Sequence, residues 1–366
     1  MQRPMTTRCW WHGKHEVPPL RCDGVDSSHY SSALLRTCLG WLPLIGCLLA
    51  SPLYAQTTDS LDVSLLGGVR LGIGTLLQVD ATVNEPERTD GFEARVARLR
   101  FKGEVERAAF FVQTELTAAP SLLDVRLRVP LNERLVLRLG LYKSPFSASI
   151  IQFRGALPLA ERPRMINALA PRRQTGGHLA ADLIPGALSL DVGIYNGNGR
   201  TLADNDNDSF LYVGRVSGTA TAWGPTVAWG ADAAYSRDAS VRIRNTVSEF
   251  TGTRVPVGVD LSVTANRWRV LGEAIGVHLS PEQGEKQQPF GYTITAGVSP
   301  AEQHEVLLRY DHFAPDAPRT GTLDDRWSLG YTFFVTPSMQ LRADYTAAAS
   351  ALGDGTFTGR LQIAIR

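Results

Sequence analysis

Ala97-Arg98-Leu99-Arg100-Phe101-Lys102-Gly103-Glu104-Val105 sorts its side chains by parity. Ala97, Leu99, Phe101 and Val105 fall on one face, and Arg98, Arg100, Lys102 and Glu104 on the other. Successive side chains leave a strand on opposite sides, so period two with one apolar face is the strand signature. The pattern recurs at 123–129, where Leu123, Val125, Leu127 and Val129 oppose Asp124, Arg126 and Arg128. At the chain's end Phe357, Leu361, Ile363 and Ile365 oppose Thr358, Arg360, Gln362 and Arg366. A soluble sandwich would alternate too. Here the polar faces carry several full charges of both signs per strand, which suits a wet interior better than a solvated surface.

Worked outward, the chain reads as about sixteen strands. They lie near 69–82, 92–105, 108–118, 122–130, 134–143, 178–184, 187–195, 209–217, 225–236, 254–265, 268–278, 289–298, 304–313, 326–335, 338–346 and 356–366. Every second connection is tight, as at Asn132-Glu133, Pro185-Gly186 and Asn266-Arg267. Those between are mostly long and polar: 83–91, 144–177, 196–208, 237–253, 279–288, 314–325 and 347–355. An even strand count, short turns at one end and long loops at the other predict an all-β fold, a transmembrane antiparallel barrel with both termini in the periplasm. Trp223, Trp268, Trp327, Tyr142, Tyr195, Phe313 and Phe333 fall near strand ends, where interfacial girdles place aromatics.

Residues 38–50, after Arg36, form the one strongly apolar run and are followed by Ser51-Pro52-Leu53-Tyr54-Ala55-Gln56. That order predicts a cleaved signal peptide over 1–55, with an over-long N-terminal extension, ahead of a barrel over 56–366. The alternative, a membrane anchor, needs about 20 apolar residues. All four cysteines precede the cleavage point, so no disulfide or cysteine metal site is expected beyond it. Taking five basic and three acidic residues from 37 and 36 leaves 32 against 33, a balance that argues against nucleic-acid binding. His178, His278, His304 and His312 have no zinc-ligand spacing, and neither a nucleophile elbow nor a phosphate loop occurs, so no enzyme, metal or cofactor is expected. Asp204, Asp206 and Asp208 alternate with Asn205 and Asn207, but Ser209 and Arg215 stand where an EF-hand needs glycine and glutamate.

Phe92 to Gly103 resembles an early strand of the phosphate-selective porin O and P family. Leu139-Gly140-Leu141-Tyr142-Lys143-Ser144-Pro145-Phe146-Ser147 resembles that family's glycine, lysine, proline-phenylalanine segment. Glu161-Arg162, Arg173 with Gly176-Gly177, Val192 to Gly197, and Arg309-Tyr310-Asp311 follow in family order. The resemblance spans roughly residues 90 to 366. It implies a sixteen-stranded outer-membrane channel, often a homotrimer, passing small hydrophilic or anionic solutes; it does not imply phosphate selectivity. The chain departs from the usual outer-membrane pattern by ending in Arg366 rather than an aromatic residue.

The connection 144–177 follows strand five, where porins commonly fold a loop inward. Its Arg154, Arg162, Arg164, Arg172 and Arg173 face one acid, Glu161, and are the candidate pore constriction. Fixed guanidinium charge offsets the cost of dehydrating an anion. The inward wall offers Arg98, Arg100, Lys102, Arg126, Arg128, Arg138 and Lys143 on early strands and Asp182, Asp191, Asp232, Asp260 and Glu273 on later ones. These sets would face each other across the lumen as a transverse field, or simply keep the interior wet and ion-paired. A plugged barrel with a surface-binding role is the alternative to a conducting one.

Overall fold

The computed structural model describes residues 61–64, 70–84, 90–117, 121–200, 204–207, 209–221, 224–243, 247–316 and 324–365. The signal-peptide region, the cysteines, Asp208, Trp223 and Arg366 lie outside them.

Seventeen strands form one antiparallel sheet. They are β1 (Leu61–Ser64), β2 (Arg70–Asn84), β3 (Gly91–Val105), β4 (Ala108–Glu115), β5 (Ser121–Pro130), β6 (Leu135–Lys143), β7 (Arg173–Ile184), β8 (Leu188–Tyr195), β9 (Leu211–Thr221), β10 (Thr226–Ile243), β11 (Val247–Ala265), β12 (Trp268–Pro281), β13 (Phe290–Ala301), β14 (His304–Ala314), β15 (Asp324–Thr336), β16 (Met339–Ala348) and β17 (Ala351–Ile365). Each of β2 to β17 pairs with its neighbours in sequence, and β17 pairs back onto β2, placing Arg360 opposite Asp80 and Gln362 opposite Gln78. The sheet is therefore a closed sixteen-stranded barrel. In hydrocarbon only helices and closed barrels satisfy every backbone donor and acceptor. β1 is the extra strand. It pairs with β2 at Leu61↔Ile73 to Ser64↔Arg70, along the edge that β17 leaves uncovered.

The barrel is inside out relative to a soluble protein. Leu77, Val79, Leu127, Val192, Val259, Ile294, Leu308, Leu329 and Leu361 are exposed on its outer face, while Asp80, Asp124, Arg215, Asp232, Arg309, Arg342, Asp344 and Arg360 are buried. Two aromatic belts bound the outer apolar band on β13–β15. Tyr292 stacks on His312 at 5.0 Å and Tyr310 meets Trp327 at 4.9 Å near the long-loop end. His304 lies against Tyr331 and Phe333 near the short-turn end. His304 and His312 are eight residues apart, roughly 27 Å along a strand and roughly 20 Å after a tilt of about 40°, which matches the hydrocarbon band of such barrels.

Several expectations change. Tyr142, Tyr195 and Phe313 are not girdle residues: they are buried inside, at 3%, 1% and 2% exposure. Leu123 leaves the outer face because a bulge falls there, where Gln113 pairs with Asp124 but Thr114 with Leu122. The connection expected over 237–253 is mostly strand, since β10 and β11 run to 18 and 19 residues where about ten suffice to span. The loop expected over 347–355 reduces to a turn at Ala349-Ser350.

Candidate functional site

The connection between β6 and β7 runs from Ser144 to Arg172 and contains α1 (Ala148–Ile151), a single 3₁₀ turn at Arg154–Ala156, and α2 (Arg164–Leu169). Pro145, Pro158, Pro163 and Pro171 break it into these short pieces, because proline removes a backbone donor and disfavours helix before it. The segment lies inside the barrel. Its neck is closed by Ser144, whose N–H and Oγ both donate to the Arg172 carbonyl, at 3.0 and 3.1 Å. Ser147 then turns the chain at φ +69°, a left-handed conformation that costs an L-residue on the order of 1 kcal/mol or more. It is held there by donating its N–H to Asp232 at 3.0 Å and by accepting from Ile150 N–H on Oγ at 3.2 Å.

Two kinds of contact fix the rest. Wall side chains take the loop's backbone polar groups. Glu273 accepts from Ser149 N–H at 3.2 Å and Asp344 from Ala160 N–H. Arg309 donates to the Glu161 carbonyl at 2.8 Å, Arg342 to Leu157 at 2.9 Å, Arg360 to Ala160 at 2.6 Å and Gln362 to Gly155 at 2.8 Å. Apolar packing supplies the remainder. Met165, Ile166 and Leu169 of α2 join Ile275, Val277, Leu279, Phe250 and Phe313 in a buried cluster. Two wall glycines admit the loop. A Cβ at Gly291 would sit 2.5 Å from that of Met165, and one at Gly330 would overlap the Leu159 side chain.

These contacts draw the loop against β10–β17 and β2. A cavity of about 310 Å³ lies open between the loop and β3–β8, and a smaller one of about 80 Å³ between the loop and β11–β14. Arg98, Arg100, Arg126, Arg138, Lys143, Arg154 and Arg173 line the larger, against two acids, Asp124 and Asp191, so its walls carry an excess of positive charge. Arg98 pairs with Glu115 at 2.8 Å, and Arg173 takes Asp124 through two bonds of 3.1 and 2.9 Å. Arg126 lies over the Phe111 ring at 5.3 Å and Arg100 over Phe153 at 4.5 Å. Lys143 donates to the carbonyl of Gln152 at 2.7 Å. His178 Nε2 lies 2.8 Å from Arg138, and Nδ1 meets the hydroxyls of Tyr195 and Tyr142 at 2.8 and 3.0 Å. Nε2 also lies 3.3 Å from Asp191.

The five constriction candidates separate. Arg154 and Arg173 line the cavity, although Arg173 is the first residue of β7 rather than part of the loop. Arg162 binds the Ser149 and Gln152 carbonyls at 2.7 and 3.2 Å and staples the loop to itself. Arg164 pairs with Asp324, and Arg172 contributes its carbonyl to the neck. Of the basic wall set, Lys102 and Arg128 stand nearer the short-turn end and do not line this cavity. The acids do not oppose the basic wall across open space. Asp232 and Asp260 both hold Arg215 at 2.7 Å, Glu273 holds α1, Asp182 accepts from Ser189 at 3.0 Å, and Asp191 sits within the basic wall beside Arg138. In place of a transverse field, one side of the lumen is spent on anchoring the loop and the other remains basic.

Burial pushes the Glu161 carboxyl up, but Arg154, Arg95 and Arg360 together outweigh it and hold the group below the ordinary carboxylate range. In the loop at 204–207, Asp206 accepts from Asn198 at 2.6 Å and buried Asn207 binds Asp238 and Ala239 N–H, so side-chain amides knit it together. Among the described residues no three acidic or histidine side chains converge as a metal site.

No family model matches this chain, and no curated protein does. Solved structures do. An anion-selective porin from Comamonas acidovorans superposes with a TM-score of 0.63 at 12% identity, over 81% of this chain and 99% of that one. OmpT from the outer membrane of Vibrio cholerae gives 0.59 at 10%, over 83% and 99%. The outer-membrane channel DcaP of Acinetobacter baumannii gives 0.59 at 9%, over 82% and 99%. At such identities the likeness is one of fold: this chain has the barrel architecture of outer-membrane porins.

Proposed function

We propose that the protein is an outer-membrane porin: a water-filled channel for passive diffusion of small hydrophilic solutes that favours anions. The observation that carries this reading is the open cavity between loop and wall, with seven basic side chains and two acidic ones around it. Positive charge at a constriction raises the local anion concentration and offsets the loss of hydration. Arg126 contributes most directly, because it has no hydrogen-bonded or ion-paired partner among the described residues and its charge is left for a passing solute. Arg98 and Arg173 are largely neutralised by Glu115 and Asp124 and shape the wall more than its field.

The ordered motifs from Phe92 to Asp311 support a place near the phosphate-selective porin O and P family, with phosphate as one candidate solute. The same reading sets the short turns and both termini in the periplasm, makes 1–55 the exported and removed leader, and allows a homotrimer in the lipid bilayer. Refolded protein added to a planar bilayer is expected to give stepwise conductance. In a salt gradient its reversal potential should have the anion sign, and Arg126→Gln should move that potential toward zero. Well-folded protein that gives no channel events identifies a plugged barrel instead. An unchanged reversal potential in the variant removes Arg126 from the selectivity.

A further inference from the structure

The basic cavity is not lined as an inorganic-anion site would be. Two of its guanidiniums lie over rings, Arg126 over Phe111 and Arg100 over Phe153. Pro145 and Ile151 of the loop complete the lining beside them. A fully hydrated phosphate gains nothing from such surfaces and must shed water against them. An anion with a carboxylate at one end and a ring at the other gains twice. Its carboxylate meets Arg126, which makes no salt bridge among the described residues, and its ring meets Phe111 and Phe153. Arg126, over the Phe111 ring, keeps N–H donors that no hydrogen bond to a described residue takes up, whereas Arg100 donates to the Thr75 and Ile365 carbonyls. The volume, about 310 Å³, equals roughly ten waters at ~30 Å³ each, enough for a single-ring solute with some hydration left.

We infer that this cavity is a transit site for small aryl carboxylates, with Phe111 and Phe153 as the residues that set the preference over inorganic anions. The inference rests on the channel reading above and sharpens its solute class. The probes are sodium benzoate, sodium phosphate and sodium chloride at neutral pH. Benzoate should permeate better than phosphate, judged by bi-ionic reversal potentials, and should bind the detergent-solubilised barrel in calorimetry. Phe111→Ala with Phe153→Ala should lower the benzoate-to-phosphate permeability ratio about fivefold, equivalent to ~1 kcal/mol, while stepwise chloride conductance shows that the variant is folded and open. A conducting wild-type channel that does not prefer benzoate over phosphate, or a ratio unchanged in the variant, overturns the inference. Benzoate binding that is lost in the variant, with no conductance from either protein, would keep the site and overturn the channel reading.

Discussion

Arg360 shows how much a single side chain holds at this site. Its side chain is 1% exposed and meets both oxygens of Asp80, at 2.7 and 2.6 Å, as well as the Ala160 carbonyl. Replacing it with methionine strands a buried carboxylate, which is expected to cost about 3–5 kcal/mol in urea unfolding of the detergent-folded barrel. Adding Asp80→Asn should recover more than half of that loss, and a loss unaffected by the second change would refute the pairing. At this scale the sequence was informative about direction and poor about partners. Alternation alone put Arg98, Arg100, Arg126 and Arg138 on the inner face, where they are. It could not separate Arg126, which makes no salt bridge among the described residues, from Arg98, which is paired with Glu115, because pairing depends on neighbours brought in by register. Phe111 was invisible for a different reason: in Ala108–Glu115 both faces begin with apolar residues, so parity does not say which phenylalanine looks inward.

The loop is the element on which function turns, and its fixing points make predictions of their own. Gly330→Val should displace Leu159 and release the middle of the segment, raising single-channel conductance with little change in strand content by circular dichroism. Unaltered conductance would mean that the loop does not set the bore. Glu161 adds a pH dependence. Its carboxyl is held low, so the anchoring by Arg95, Arg154 and Arg360 is complete above the ordinary glutamate value of about 4.3 and fades as pH falls through the lower folded value. A conductance change that traces to this anchor should therefore appear only below about pH 4 and be absent in Glu161→Gln; a transition that persists in the variant would exclude the anchor as its cause. The segment's position and arginine content were legible from the chain, its ends less so. β7 was expected from 178 but starts at Arg173, because Gly176 and Gly177, lacking side chains, hide the alternation there. The outer ends of β10 and β11, over 237–253, were missed because their outward residues, Arg237, Ala239, Glu249 and Thr251, are polar or small and exposed, so the apolar half of the pattern disappears.

For the whole molecule, the outer face rather than the lumen sets tolerance to charge. Leu308, 47% exposed in mid-strand β14, faces hydrocarbon, so Leu308→Arg should cost about 2–4 kcal/mol in lipid-vesicle unfolding, whereas Ser189→Arg on the inner face of β8, beside Asp182, should cost clearly less. Equal costs would argue that the faces are assigned the wrong way round. The strand count and closure followed from parity and loop lengths; β1 did not, since four residues are too few to display a period. Closure also has a kinetic side. The β2–β17 seam joins residues more than 270 positions apart, the most remote pairing in the barrel and the one with the largest entropic barrier to finding its register. The loop touches both banks of that seam: Arg154 reaches Gln78 on β2, while Gly155 and Ala160 are held by Gln362 and Arg360 on β17. The segment folded into the lumen is thus also a splint across the joint that is most remote in sequence. Shortening it to widen the bore should slow barrel closure during refolding, so permeability and assembly speed are traded against each other through the same few residues.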